Sequence, residues 1–181
     1  HSLAHRVLRS NAHLLGFDSS FTILDRQDME EIVREIVNEI HTDENVARFP
    51  KKGTIASIIS KAANLEKPVE WLMTDEYSQF LEHAHVITNI GEQYAIYKKE
   101  NQMMDYDDLL LLFRRLLAEN ETVRGLLARR YSHIMVDEYQ DTNGIQADIV
   151  KWLGEKHQNV MVVGDDSQAI YSFRVANYKN M

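Results

Sequence analysis

Two short apolar runs, each halted by acidic residues and separated by one helix length, constrain this chain more than any other feature. The first is Ile134-Met135-Val136, followed by Asp137-Glu138-Tyr139-Gln140-Asp141-Thr142-Asn143. The second is Val160-Met161-Val162-Val163, followed by Gly164-Asp165-Asp166-Ser167-Gln168. Apolar runs this short read as buried strands. Between them Ile145, Ile149 and Leu153 recur at helical spacing, so a helix from about Asn143 to Lys156 joins strands over 133–137 and 160–164. Such a βαβ unit should have parallel strands and a right-handed crossover. Open α/β sheets bind ligands beyond the carboxyl ends of their strands, which makes the acids at both ends a phosphate and metal site.

Upstream the pattern is helical. Leu3, Val7, Leu8 and Leu15 predict a helix over 1–15, with Gly16 as its stop. Phe21-Thr22-Ile23-Leu24 reads as extended. Asp25 or Asp28 can then cap a helix whose stripe is Met29, Ile32, Val33, Ile36, Val37 and Ile40. Residues 42–53 read as a loop, Thr54 as the cap of a short helix, and Pro68 as the first turn of another. One long helix is expected from about Asp75 to Asn101, with Phe80, Ala84, Ile87, Gly91, Tyr94 and Ala95 inward. Asp105 can cap a helix carrying Leu109, Leu112, Phe113, Leu116 and Leu117; Asn120 breaks it, and Val123, Leu126 and Leu127 follow on a shorter one. Helices over 25–101 with strands downstream suggest a helical insertion into an α/β domain.

Composition enters where partners are weighed. The chain has 28 acidic and 20 basic residues, a formal charge of −8, so bulk electrostatics does not mark a nucleic-acid binder. Any DNA contact must come from local groups or from basic regions outside this chain. With no cysteine and no apolar stretch of membrane-spanning length, a soluble cytoplasmic protein without membrane partners is the expectation. The first residue is His1, which reads as a chain processed or excised from something larger.

At the first tip, Asp137 and Glu138 can divide two tasks, one carboxylate holding Mg²⁺ and the other orienting or deprotonating water. The alternative is that they cap the next helix. Gln168 at the second tip adds an uncharged amide able to sense a γ-phosphate. Asp165-Asp166 reads equally as a second metal pair or an acidic turn. Tyr171, Phe173 and Arg174 are placed either to stack bases and neutralise phosphate or to pack beneath a loop. His83, His85, Lys51-Lys52, Lys98-Lys99 and Arg129-Arg130 read as solvated surface, the alternative for Lys51 or Lys52 being a phosphate contact beside Gly53.

Together these blocks resemble superfamily 1 DNA helicases of the UvrD/Rep/PcrA type. Val136 to Asn143 resembles their motif II, and Val163 to Arg174 their motif III. Asp105-Tyr106-Asp107-Asp108-Leu109-Leu110 is similar to a block before motif II, and His1-Ser2-Leu3 with Arg6 and Arg9 to the end of motif Ib. The resemblance implies a partial RecA-like, P-loop NTPase-type parallel sheet with a mostly helical inserted subdomain. Residues 1–24 and 103–181 would belong to the motor domain and 25–102 to the insertion. It implies an ATP- and Mg²⁺-dependent DNA translocase and helicase, moving 3′ to 5′ on single-stranded DNA and unwinding duplex DNA in repair or replication. Asp137 would hold the metal, Glu138 activate water and Gln168 contact the γ-phosphate. Tyr106, Tyr171, Phe173, Arg174 and His1 would lie on the DNA path.

This chain departs from the family pattern at Val175, where glycine is usual, and at Phe173, where tryptophan is common. It holds no G-x-x-x-x-G-K-[ST] loop and no second motor domain, so the chain alone is expected to be inactive, with part of its sheet left uncovered. Two other readings stand beside it: a non-catalytic DNA- or protein-binding module, and a metal-dependent nuclease using Asp137, Glu138, Asp165 and Asp166.

Overall fold

The computed structural model describes residues 1–40 and 49–165, which divide into two compact units. One takes in His1–Ser19 and the chain from Asp108 onward; the other is Ser20–Asp107. The fold is mixed α/β, dominated by helices, with two small parallel sheets. Among the described residues, no helix is long and apolar enough to cross a membrane.

In the first unit, α1 (Ser2–Asn11) runs into a 3-10 turn, Ala12–Leu15, and ends where Gly16 turns left-handed at φ 73°. After α6 (Tyr106–Glu119), Asn120 caps α7 (Glu121–Arg130) by accepting from the Val123 amide at 2.9 Å. The buried side chains are those the periodicity selects, including Leu8, Leu109, Phe113, Leu116, Leu117, Val123 and Leu127. Leu126 is a correction: it is exposed, because α7 buries Val123, Leu127 and Ala128 and turns position 126 outward.

The βαβ unit follows. Strand β3 (Ile134–Val136), α8 (Gly144–Gly154) and β4 (Val160–Val162) succeed one another, and β3 pairs parallel with β4 in the register Ile134–Val160, Met135–Met161, Val136–Val162. Asn143 opens α8 with a complete capping box: its side chain accepts from the Gln146 amide at 2.9 Å, and Gln146 Oε1 accepts from the Asn143 amide at 3.0 Å. Ile145, Ile149 and Leu153 face inward as expected. A Cβ at Gly154 would lie 2.4 Å from Val160 Cγ2, so glycine is what lets the end of α8 approach β4 this closely.

The expectation that the strands are buried needs correcting. Met135 is 73% exposed, and Val160, Met161, Val162 and Val163 are all exposed. A strand pair has two faces and two outer edges, and one helix covers only part of them.

In Ser20–Asp107, β1 (Thr22–Ile23) pairs parallel with β2 (Met103–Met104), so the chain enters and leaves this unit side by side. Asp25 caps α2 (Arg26–Ile40), its Oδ1 accepting from the Gln27 and Asp28 amides at 2.7 and 2.9 Å, while Asp28 Oδ2 accepts from the Asp25 amide at 3.0 Å. The core gathers the α2 stripe with Ile55, Ala56 and Ile58 of α3 (Lys52–Leu65), Leu72 and Met73 of α4 (Val69–Glu76), and Ile87, Ile90 and Tyr94 of α5 (Ala84–Glu100).

Several expectations fail here for local reasons. Helix α3 begins two residues before Thr54, with Lys51 at its N-cap, and Pro68 is the N-cap of α4 rather than its first turn. The long helix expected from Asp75 is broken. Tyr77 leaves the helical region at φ −129°, ψ 37°, and a 3-10 turn over Ser78–His83 precedes α5. Within α5 the expected Ala84, Ile87 and Tyr94 are buried, Ile90 joins the same stripe, and Ala95, expected inward, is exposed.

Candidate functional site

Residues Asp137 and Glu138 both lie beyond the end of β3, so the alternation that would send them to opposite faces no longer applies. Glu138 takes a left-handed conformation, φ 53°, ψ 42°, and opens the 3-10 turn Tyr139–Asp141. A non-glycine residue there carries backbone strain of order 1–3 kcal/mol, held in place by the bonds around it. Asp137 Oδ1 accepts from the Glu138 amide at 3.0 Å. The backbone then ties the two tips together: the Val163 amide donates to Val136 O at 2.8 Å, and the Tyr139 amide to Val163 O at 2.9 Å.

A side chain completes the link. Gln140, 1% exposed, donates from Nε2 to Glu138 Oε2 at 2.5 Å and accepts on Oε1 from the Asp165 amide at 3.1 Å. The orientation is forced, because a backbone N–H can only donate and the amide oxygen must therefore face Asp165. Sequence reasoning assigned Gln140 no role. No local sequence signal marks it, because its neighbour comes from the other tip: a Cβ on Gly164 would lie 2.6 Å from Gln140 Oε1 and 3.2 and 3.3 Å from the amide nitrogens of Gln140 and Tyr139.

Asp137 and Glu138 are exposed at this tip. Among the described residues, no protein group hydrogen-bonds Asp137 Oδ2 or Glu138 Oε1. Asp137 thus offers a solvent-facing hard oxygen, the donor Mg²⁺ prefers when phosphate oxygens and water complete its shell. No group of three or more metal-capable side chains gathers among the described residues, and a site of this one-carboxylate kind does not require one.

The other expected site residues are distributed as follows. Asp165 is exposed at the β4 tip. His1 is exposed at the start of α1. Tyr106 is the first residue of α6 and 52% exposed. Gln168, Tyr171, Phe173 and Arg174, with Asp166 and Val175, lie outside the described residues.

Tyr106 is flanked by two carboxylates with defined partners. Asp105, buried, accepts on Oδ2 from Lys98 Nζ at 2.7 Å and from Tyr94 Oη at 3.0 Å. Lys98 was expected at the surface; burial beside Asp105 and over the Tyr94 ring, 4.5 Å from its centroid, corrects that. Asp107 Oδ1 accepts from Asn64 Nδ2 at 2.7 Å, and burial holds its carboxyl above the ordinary value despite hydrogen bonds from Ser60 and Asn64. His83 is a second correction: it is buried, edge-on to Phe49 with ring centroids 5.1 Å apart, while His85 is exposed. Lys52 is paired with Glu31, whose carboxyl that hydrogen bond holds below its ordinary value.

Along its whole length, residues 1–181, the chain matches the UvrD/REP helicase N-terminal domain. It belongs to that family. An ATP-dependent DNA helicase PcrA of Leuconostoc citreum is 33% identical over all of this chain and 23% of its own length, and one of Bacillus subtilis is 33% identical over all of the chain and 24% of its own. An ATP-dependent DNA helicase Rep of Buchnera aphidicola is 32% identical over 99% of the chain and 25% of its own length. The chain thus spans about a quarter of the length of the UvrD/REP relatives it matches.

Proposed function

We propose that this chain is part of an ATP-dependent DNA helicase, carrying the motif II and III half of a RecA-like motor domain and an inserted helical subdomain. Residues 1–24 and 103–181 belong to the motor domain and 25–102 to the insertion. The observation that carries the reading is the joined pair of strand tips, where Asp137 and Glu138 stand side by side with one carboxylate oxygen each unengaged by any group among the described residues.

Phosphoryl transfer asks little covalent chemistry of a protein and much positioning and charge neutralisation. Asp137 would hold Mg²⁺, which would supply positive charge against the phosphate oxygens. Glu138 orients the attacking water and accepts its proton on the oxygen that Gln140 leaves open. Gln168 contacts the γ-phosphate. Tyr106, Tyr171 and Phe173 stack bases, and Arg174 and His1 contact the DNA backbone. Because Gln168 and Phe173 lie five residues apart, loss of the phosphate contact and movement of a base are linked through one short segment. The activity this supports is 3′ to 5′ movement on single-stranded DNA with duplex unwinding, in repair or replication in the cytoplasm. The chain alone does not turn over ATP, since its sequence contains no phosphate-cradling G-x-x-x-x-G-K-[ST] loop.

The test is ATP hydrolysis by the longer protein that carries this chain, with and without single-stranded DNA. Turnover that rises with DNA supports the motor; turnover indifferent to DNA rejects it.

A further inference from the structure

We infer that Gln140 is a positioning residue for ATP hydrolysis, holding the Glu138 carboxylate in its working orientation and coupling it to the segment that opens at Gly164. The inference rests on the water-activating role proposed for Glu138. A carboxylate that must accept a proton from water needs one oxygen fixed and the other open, and Gln140 Nε2 fixes Oε2 at 2.5 Å. The same amide accepts from the Asp165 backbone at 3.1 Å, so one planar group spans both strand tips. Burial makes the link consequential. At 1% exposure the Gln140 side chain has no ready exchange with water, and loss of either partner leaves a buried polar atom unsatisfied. Gly164 keeps the channel for the amide oxygen open. Any displacement of the segment after β4 therefore pulls on the amide that orients Glu138, and the reverse.

Two substitutions separate positioning from packing. Gln140→Leu removes both bonds at similar volume. Gln140→Glu keeps an acceptor for the Asp165 amide and replaces the amide donor at Glu138 with a second carboxyl group. In the full-length protein, steady-state ATP hydrolysis is measured with and without single-stranded DNA, together with nucleotide affinity and melting temperature.

The expected result is a kcat lowered roughly 10–100-fold in both variants, with KM for ATP and nucleotide affinity near wild type. The stimulation by DNA falls further in Gln140→Leu than in Gln140→Glu. Wild-type kcat in both variants overturns the inference. So does a fall in kcat that only tracks lost nucleotide binding and a lower melting temperature, since that is a packing role. Glu138→Gln run alongside separates the two levels. If it turns over normally, the functional reading itself fails; if it is inactive while the Gln140 variants are normal, only this inference does.

Discussion

Gly164 faces Gln140 so closely that a methyl group on it would lie 2.6 Å from the Gln140 amide oxygen and 3.2 Å from its backbone nitrogen. The first contact could be relieved by moving a side chain, but the second involves backbone. Gly164→Ala must therefore part the strand tips or break the Gln140–Asp165 bond. A loss of about 1–3 kcal/mol in stability is expected, as for other overpacked sites. Denaturant unfolding of the 181-residue chain followed at Trp152, with Trp71 replaced by Phe, reads it out in the unit that holds both tips.

The buried ion pair of Lys98 with Asp105 makes the opposite kind of prediction. Removing one charge leaves the other uncompensated inside the unit, at a cost of roughly 3–5 kcal/mol. Lys98→Met should lower the unfolding midpoint reported by Trp71 with Trp152 replaced by Phe. Lys98→Met combined with Asp105→Asn should be less damaging than Lys98→Met alone, because no unpaired charge remains. A double variant at least as unstable as the single one would show that the charge is not what matters.

Asp107 carries a pH dependence whose sign follows from its raised carboxyl pKa. The folded state holds this proton more tightly than the unfolded chain, whose carboxyl titrates near 3.8. Folding is therefore favoured while the group is protonated, and this contribution is lost as pH rises through the folded value. Asp107→Asn keeps an oxygen to accept from Asn64 and removes the partly buried charge. It should raise the melting temperature near neutral pH and flatten its dependence on pH in the window just above 3.8. An unchanged pH profile would assign the dependence to other groups.

The capping box at Asn143 sets where α8 starts and hence how the chain leaves the Asp137–Glu138 tip. Asn143→Ala should cost about 1 kcal/mol, seen as a lower unfolding midpoint at Trp152. Asn143→Ser, which can still accept from the Gln146 amide, should recover much of it.

What the sequence reveals follows from the range of the forces involved. The α2 stripe, the Asn143-led helix and the parallel strand pair are legible because 3.6-residue and strand patterns are local. The burial of Lys98 is not, since it depends on Asp105 returning after β2 to lie against α5. His83 is hidden for the same reason: its cover includes Phe49, distant in sequence, and no glycine or proline announces the helix break at Tyr77. Leu126 and the exposed strands err in the other direction, because apolar character says a side chain prefers cover and not that cover is present. At the site, Asp137 and Glu138 stand out as charges ending an apolar run. Gln140 does not, since its role exists only once the β4 tip is beside it.

Whether Glu138 activates the attacking water is decided by single-turnover ATP hydrolysis by full-length wild type and Glu138→Gln, with single-stranded DNA present and nucleotide binding followed in parallel. Glu138→Gln should bind ATP about as well as wild type while turnover falls by at least 100-fold, roughly the general-base contribution. Turnover within a few-fold of wild type would contradict it.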